Sequence, residues 1–330
     1  MLAVCIEITV MTTTPTASVV IAAYNAERWL GRAVASVMDD QGVGPVEVVI
    51  VDDRSSDATA SVVEALQAEH PGVRLIRNDR NLGPAGSRNR GLDAAMGRWV
   101  AVLDADDAFA PGRLRRLIDV ATERDLQVIA DLPLMYDLHA DQPATSQLEA
   151  SGGFSRIGVV DLLRVDPETG LDLGMLKPIY RDDLVKARKV RYPESIRHGE
   201  DFSLYVELAR AGVRIGLLRE PHYLFSSRVG EVSGRFSPGS VTQVDFVAVA
   251  AQSRALLEDM RQHGDLTPEA ESLLLERIER LGRANRMYGW MVLRMGSWRR
   301  LARWLRKAEN RRDFRRVLSQ KLAGKRGHPD

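Results

Sequence analysis

Short apolar runs alternate with stretches of helical periodicity through the first part of the chain. The run ASVVIAAYN (Ala17 to Asn25) is rich in β-branched residues, and Leu30, Val34 and Val37 then follow at helical spacing. The alternation continues through VEVVIVDD, VRLIRND, RWVAVLDADD and LQVIADLPLMYD, with helical patterns between them. Runs that are apolar throughout are typical of strands buried on both faces. The pattern therefore predicts an α/β fold with a mostly parallel central sheet flanked by helices.

Composition narrows the class of protein further. The chain has 330 residues, and its single cysteine, Cys5, rules out an internal disulfide. The six histidines are scattered without the spacing of a zinc site, which together with the lone cysteine favours a reducing compartment. No Lys or Arg precedes the first apolar run, and no stretch approaches 18 apolar residues, so we expect neither a secretory signal nor a membrane-spanning helix.

The C-terminal part is helical and strongly basic. From Met291 onward there are 13 Lys and Arg against 3 Asp and Glu, a charge of +10, which leaves −9 for the rest because the whole chain carries +1. Apolar residues recur among the arginines at helical intervals: Leu301, Trp304, Leu305, Phe314, Val317 and Leu318. One interpretation, which we favour, is a helix that lies on an anionic membrane surface. The alternative is a basic helix packed on the preceding α/β domain, or an interaction arm.

Polar clusters end three of the predicted strands, in AAYN, VDDRSSD and LDADD. Ligands of parallel sheets collect beyond the carboxyl ends of the strands, so we expect the site there. Asp104, Asp106 and Asp107 would repel one another without a compensating positive charge. A divalent cation that also binds substrate phosphate is the usual solution. The alternative, that Asp106 or Asp107 caps the following helix, leaves Asp104 unexplained.

Several segments taken together resemble inverting family 2 glycosyltransferases of the GT-A fold. They are SVVIAAYNAERWLGRAVASV, VEVVIVDDRSSDAT, NDRNLGPAGSRNRGLDAAMGRWVAVLDADD and GEDFSLYVELARAG. The resemblance covers residues 18–233, and LKPIYRDDLV and SSRVGEVSGR add a weaker likeness to bacterial enzymes of the succinoglycan-biosynthesis kind. The N-terminal residues also offer Met11 as a second candidate start. The resemblance implies a catalytic domain (17–240), preceded by an N-terminal extension (1–16) and followed by a helical basic extension (241–330). Within the catalytic domain, the resemblance assigns about 17–110 to the nucleotide and 111–240 to the acceptor.

The resemblance also implies which residues bind the substrates. The family's first turn carries a proline where this chain has Ala22, which removes backbone rigidity but no reacting group. Asp52 and Asp53 match the acidic pair that contacts base and ribose, with uridine favoured, although Asp53 or Ser55 as a helix cap remains an alternative. The implied substrate-binding residues are Ala23, Tyr24, Asn25, Glu27, Asp52, Asp53, Asn81, Gly83, Arg88, Asp104, Lys177, Glu200 and Arg228.

The same resemblance assigns the chemistry. Asp104 and Asp106 form a D-x-D motif, supported by Asp107, for Mg²⁺ or Mn²⁺ bound to the diphosphate of a UDP-sugar. Asp201 is the expected base, and a single base without a nucleophilic carboxylate implies inversion. The alternative is that Glu200 and Asp201 only stabilise the N-terminus of a helix.

The expected activity is transfer of a hexose, glucose in the first place, from a UDP-sugar to a saccharide or lipid-linked saccharide. We expect a cytoplasmic protein that is peripheral on the inner face of the membrane. Nucleic acid is not an expected partner, since no recognition module accompanies the basic residues. The second functional class is an inactive nucleotide-sugar-binding scaffold. A dinucleotide oxidoreductase is disfavoured, because no G-x-G-x-x-G follows the first strand.

Overall fold

The computed structural model describes residues 14–39, 42–137, 142–143, 152–167, 169, 171–196, 198–227, 245–294, 301–302 and 304–315. The chain divides into two compact units, Met1–Ser227 and Arg228–Asp330. Our boundary at residue 240 falls between the described residues 227 and 245, and it stays a prediction. Most of the expected N-terminal extension also lies outside the described residues.

The first unit is a ten-stranded mixed sheet with helices packed around it. Its strands are β1 Ala17–Ala23, β2 Val46–Asp52, β3 Val73–Arg77, β4 Trp99–Asp104, β5 Ala108–Phe109, β6 Val128–Asp137, β7 Gln142–Pro143, β8 Phe154–Ile157, β9 Ile179–Arg181 and β10 Ile215–Ser227. Its helices are α1 Leu30–Met38, α2 Thr59–Glu69, α3 Gly83–Ala94, α4 Arg113–Glu123, α5 Val159–Leu163, α6 Asp182–Lys186 and α7 Glu200–Arg210, with a short 3₁₀ turn at Leu173–Met175.

The main path of the sheet has the order β3-β2-β1-β4-β9-β6-β10-β5. Strand β1 pairs in parallel with β2 and β4, β2 pairs in parallel with β3, and β6 pairs in parallel with β10. Strand β9 is antiparallel to both β4 and β6, so β4 and β6 point the same way. The carboxyl ends of β1, β2, β4, β6 and β10 therefore meet at one edge of the sheet. The predicted α/β fold is confirmed, and its long strands pair in parallel. The sheet as a whole is mixed, because the short strands β5, β7, β8 and β9, which the sequence did not predict, pair antiparallel.

Burial follows the apolar pattern of the sequence. All six residues of β4 are buried, and α1 buries Leu30, Ala33, Val34 and Val37, which include the positions at helical spacing. Helix α3 approaches β1 so closely that a Cβ at Gly91 would collide with Val20. Glycine at this position therefore lets α3 lie directly on the sheet, close to its functional edge.

The second unit contains α8 (Phe246–His263) and α9 (Pro268–Arg294), followed by helical residues within 301–315. Leu301 and Trp304 pack with Tyr288 of α9 in a buried cluster, and Trp304 Nε1 donates a hydrogen bond to Asn285 Oδ1 at 3.2 Å. Leu305 and Phe314, which are partly buried, pack against the same cluster, so four of the six apolar positions expected on a membrane-facing stripe are used for internal packing. Val317 and Leu318 lie outside the described residues. Within the described part of the chain, none of the helices combines the length and the apolar character required to cross a bilayer.

Candidate functional site

The predicted site residues of three neighbouring strands lie in one row at the sheet edge. In the strand register Ala22 is opposite Asp104, and Ala23 is opposite Asp52. The parallel pairing of β2, β1 and β4 thus brings the three strand-end motifs AAYN, VDDRSSD and LDADD together, as their position at strand ends predicts.

A tight turn after β4 gathers the acidic residues. The amide of Asp107 donates to the carbonyl of Asp104 at 3.0 Å, which closes the turn. Carboxylate oxygens of Asp104, Asp106 and Asp107 lie within 4.8 Å of one another. Helix α4 begins at Arg113, and its N-cap residue is Gly112. The alternative in which Asp106 or Asp107 caps this helix stays a prediction.

Arg88 on α3 is the central cation of the site. Its guanidinium lies 2.7 Å from Asp104 Oδ1, 3.0 Å from Glu200 Oε1 and 3.5 Å from Asp201 Oδ1. Burial by itself would lower the pKa of Arg88, but the carboxylates of Asp201, Asp104 and Glu200 outweigh it and raise the pKa well above its usual value. Arg88 therefore remains charged and joins the acidic turn to the start of α7.

Lys177 is the second buried cation. It lies between the 3₁₀ turn and β9, and its Nζ is 2.7 Å from Asp201 Oδ2 and 3.3 Å from Asp104 Oδ2. Its carbonyl accepts a hydrogen bond from Arg113 at 2.5 Å, so the backbone at this point is fixed from within the core. Arg88 and Lys177 thus make the same two-sided connection between Asp104 and Asp201.

The charge balance of the cluster favours a further cation. Asp104, Asp106, Asp107, Glu200 and Asp201 contribute −5, and Arg88 with Lys177 contributes +2, which leaves −3. Mg²⁺ and Mn²⁺ prefer carboxylate oxygens and bind through one or two of them, the other positions going to water and phosphate. Both the donor atoms of the turn and its residual charge therefore fit a divalent metal ion.

Asp201 occupies the first turn of α7, directly after Glu200. The helix follows Gly199, which has φ +83°, a left-handed conformation that glycine adopts without strain. The helix N-terminus favours negative charge, as the alternative interpretation holds. The ion pairs with Arg88 and Lys177 show in addition that both carboxylates belong to the cluster around Asp104.

Asn25 and Glu27 join the loop after β1 to the loop after β2. Asn25 has φ +51°, and its Oδ1 accepts from the amide of Ser56 at 2.9 Å. Glu27 Oε2 accepts from the amide of Ala58 at 2.8 Å, next to the start of α2. Tyr24, by contrast, is 55% exposed. The two polar side chains therefore shape the loops, and the tyrosine ring is accessible beside them.

The two acids after β2 have different partners. Asp52 is fully buried, accepts from the amide of Ser55 at 2.9 Å and pairs with Arg77 at 3.3 Å. Asp53 accepts from the amides of Leu82 and Gly83 at 2.7 and 2.8 Å. Asp53 is thus a cap, as our alternative held, but of α3 and not of α2. Its contact with a nucleotide stays a prediction.

The structure brings the predicted residues together in two groups. The acidic turn, Arg88, Lys177, Glu200 and Asp201 form the cluster above. The second group surrounds the loops after β1 and β2, and consists of Tyr24, Asn25, Glu27, Asp52, Asp53, Asn81 and Gly83. Asn81 joins it by donating to the carbonyl of Asp53 at 3.2 Å. Arg228 lies outside the described residues, so its role stays a prediction.

Sequence reasoning missed two groups in contact with the site. Tyr223 contacts both Asp104 and Asp107, and Arg113 forms a buried pair with Asp131 beneath them. Tyr223 lies in an apolar strand, and the hydrophobic pattern of that strand does not distinguish it from a tyrosine that only fills the core. An arginine in the first turn of a helix is likewise expected to be exposed to solvent, although Arg113 is fully buried.

Comparison with known proteins identifies the class. The sequence profile of "Glycosyl transferase family 2" matches residues 18–167. The chain is 35% identical over 224 residues to the succinoglycan biosynthesis protein ExoO of Rhizobium meliloti (strain 1021), an alignment that covers 66% of this chain and 63% of ExoO. It is 30% identical over 253 residues to ExoU of the same strain, with 75% of this chain and 71% of ExoU covered.

A solved structure supports the same fold. The crystal structure of S. aureus TarS 1-349 in complex with UDP-GlcNAc superposes with a TM-score of 0.54 at 21% identity, and the match covers 94% of this chain and 92% of that one. The match defines a GT-A architecture around the sheet edge described above. The chain belongs to glycosyl transferase family 2.

Proposed function

We propose that the protein is a metal-dependent, inverting glycosyltransferase that moves a hexose from a UDP-sugar to a saccharide or lipid-linked saccharide in bacterial polysaccharide synthesis. One observation carries the proposal. Asp104 and Asp201, which are distant in the sequence, contact the same two buried cations, Arg88 and Lys177. This common contact supports a metal-binding carboxylate and a base that act on one bound donor, as displacement at a sugar carbon requires.

The acidic turn would hold Mg²⁺ or Mn²⁺ through Asp104 and Asp106, with Asp107 in support. The bound ion would stabilise the negative charge that develops on the departing diphosphate. Arg88 and Lys177 add fixed positive charge beside that position, and both are almost fully buried. Because these cations are held in place before the donor binds, they need little reorganisation during the reaction.

Asp201 takes the proton from the acceptor hydroxyl as it attacks the anomeric carbon. The Nζ of Lys177 fixes one carboxylate oxygen at 2.7 Å, and Arg88 lies 3.5 Å from the other. Both contacts orient the base toward the acidic turn. A single base, with no second carboxylate acting as nucleophile, gives inversion at the anomeric carbon.

Uridine diphosphate sugars are the first donors to test. The accessible ring of Tyr24 offers a flat surface on which a base can stack, and Asp52 and Asp53 end the neighbouring strand. TarS, of the same fold, has been solved with UDP-GlcNAc. Glucose is the first candidate sugar, by likeness to enzymes of succinoglycan synthesis, and a lipid-linked saccharide is the first candidate acceptor.

The proposal is tested by UDP release from a panel of UDP- and GDP-sugars with saccharide and lipid-linked acceptors, with product mass and anomeric configuration determined. We expect release that requires Mg²⁺ or Mn²⁺ and is lost in Asp106→Asn and Asp201→Asn. Asp119→Asn is the matched control, because Asp119 is an exposed carboxylate on α4. Donor binding in the absence of turnover with every acceptor would favour the inactive scaffold instead.

We also propose that the protein works at the inner face of the cytoplasmic membrane. Leu301 and Trp304 are packed internally, so attraction to the membrane would depend on the exposed arginines of residues 306–315. Electrostatic attraction of this kind adds about 1 kcal/mol for each Lys or Arg near an anionic surface.

A further inference from the structure

Strand β10 crosses directly beside the acidic turn. Tyr223 of β10 pairs with Phe109 of β5, and β5 begins one residue after Asp107. The short β5 strand is therefore attached to the long β10 strand at the point where the turn ends. Contacts that hold β10 in place therefore also hold the end of the acidic turn in place.

The hydroxyl of Tyr223 connects both ends of that turn. It accepts a hydrogen bond from the amide of Asp104 at 3.2 Å and donates one to Asp107 Oδ2 at 2.8 Å. The other oxygen of Asp107, Oδ1, accepts from the amide of Ser226 at 2.9 Å. Each oxygen of the Asp107 carboxylate thus has a donor from β10, whereas Asp104 makes its side-chain ion pairs with Arg88 and Lys177.

The tyrosine ring is itself held by the core. Tyr223 is 1% exposed and packs against Phe109 and Phe225, with ring centroids 5.9 and 6.4 Å away. The guanidinium of Arg113 lies over the ring at 5.2 Å from its centroid, and Asp131 holds that guanidinium at 2.6 Å. The position of the hydroxyl is therefore determined by packing that does not depend on solvent.

We propose that Tyr223 is a positioning residue for the metal site, and that Asp107 serves mainly to hold the turn against it while Asp104 and Asp106 supply the ligands. The inference rests on the metal site of the proposed function. Groups that orient ligands from behind typically change metal affinity 10- to 100-fold when they are removed. Loss of the Tyr223 hydroxyl removes the acceptor of the Asp104 amide and the donor to Asp107 Oδ2, so the two ends of the turn lose their common contact with β10.

The test measures Mn²⁺ binding directly, by electron paramagnetic resonance of free Mn²⁺, with and without UDP. Tyr223→Phe removes the hydroxyl and keeps the ring; we expect its Kd for Mn²⁺ to rise at least about tenfold. Tyr180→Phe is the matched control, since Tyr180 is also buried in the sheet but its hydroxyl contacts Tyr192 at 3.3 Å. Its Kd for Mn²⁺ should match that of the unmodified chain.

Equal Mn²⁺ affinity in Tyr223→Phe and the unmodified chain would overturn the inference and leave the proposed metal site intact. Failure of the unmodified chain to bind Mn²⁺, even with UDP, would overturn both. If Tyr223→Phe does not fold, Asp107→Asn provides the second test. It should retain measurable Mn²⁺ binding, weakened about tenfold, whereas Asp106→Asn should show none. Complete loss of binding in Asp107→Asn would make Asp107 a ligand and contradict its holding role.

Discussion

Arg88 Nη2 lies 2.7 Å from Asp104 Oδ1, and the two side chains are only 3% and 9% exposed. The pair connects α3, which packs on the sheet, with the last residue of β4. The same guanidinium reaches Glu200 and Asp201, so one buried arginine balances three carboxylates. The acidic strand end is therefore partly compensated by the protein itself, and any metal ion adds to charges that are already present.

Replacing Arg88 by glutamine should destabilise the whole first unit. The substitution leaves Asp104, Glu200 and Asp201 buried without their shared cation, and breaking a buried pair in this way costs about 3–5 kcal/mol. Urea unfolding at pH 7 measures the change in the free energy of unfolding. Arg115→Gln is the control, since its exposed pair with Asp119 should contribute less than about 1 kcal/mol. Equal stability of the two variants would refute the central role of Arg88.

Lys177→Met should lower the kcat of the folded protein about a hundredfold, because methionine fills much of the same space without fixing the Asp201 carboxylate. A well-placed general base usually accelerates a reaction about 10²–10⁴-fold, and a base that is no longer held in place loses part of this factor. Steady-state UDP release measures it, with circular dichroism as the check on folding. Lys186→Met is the control, because Lys186 is an exposed lysine that pairs with Asp182 away from the acidic turn, so kcat should not change. A value of kcat in Lys177→Met equal to that control would exclude Lys177 from the reaction.

The ionised carboxylate of Asp166 should stabilise the folded state at neutral pH, and this contribution should be lost in acid. Although burial would raise its pKa, hydrogen bonds from Arg219 and Thr169 prevail and lower it from 3.8 to about 2. A pKa that is lower in the folded state gives stability that is complete above pH 4 and declines as the pH falls from about 4 to 2. The full contribution is about 2 kcal/mol.

Urea unfolding of the unmodified chain and of Asp166→Asn, compared from pH 7 to pH 2, tests this dependence. The difference between them should shrink as the pH falls through the window from 4 to 2. Asp119→Asn, which removes an exposed carboxylate, should give a small difference at all pH values. A difference for Asp166→Asn that stays constant with pH would contradict the predicted titration.

The basic segment of the second unit should bind anionic vesicles through charge alone. Changing Arg306, Arg312 and Arg315 together to glutamine should weaken binding to phosphatidylserine vesicles by about 3 kcal/mol, near 1 kcal/mol for each charge. Vesicle sedimentation in low and high salt measures the effect, and salt should abolish binding of the unmodified chain. Arg261 and Arg283, which pair with glutamates on α8 and α9, provide the control variant. Salt-independent binding would exclude this charge mechanism.

The strand ends were predictable from sequence because a buried parallel strand leaves an unmistakable apolar run. The runs before Asn25, Asp52 and Asp104 indicated three strands, and sheet geometry then placed their ends together. The family resemblance added the expected roles of Asp104 and Asp201, which stay predictions. It did not indicate their common partners, because ion pairs between distant segments leave no periodic signal in the sequence.

Three features escaped prediction for physical reasons. Strand β9 is only three residues long, too short for an alternating or apolar pattern to stand out. The role of Tyr223 depends on where its hydroxyl lies, which an apolar strand pattern does not encode. The amphipathic pattern of the basic segment favoured a membrane surface, and it did not indicate that Trp304 packs against Tyr288 of α9.

The placement of Lys177 just before β9 has a consequence for synthesis of the chain. Strand β9 enters between β4 and β6 after both have left the ribosome, and α7 follows later still. Asp104 therefore cannot meet Lys177 until the segment before β9 has been made. The strand that joins β4 to β6 thus brings with it one of the two buried charges that balance the acidic cluster.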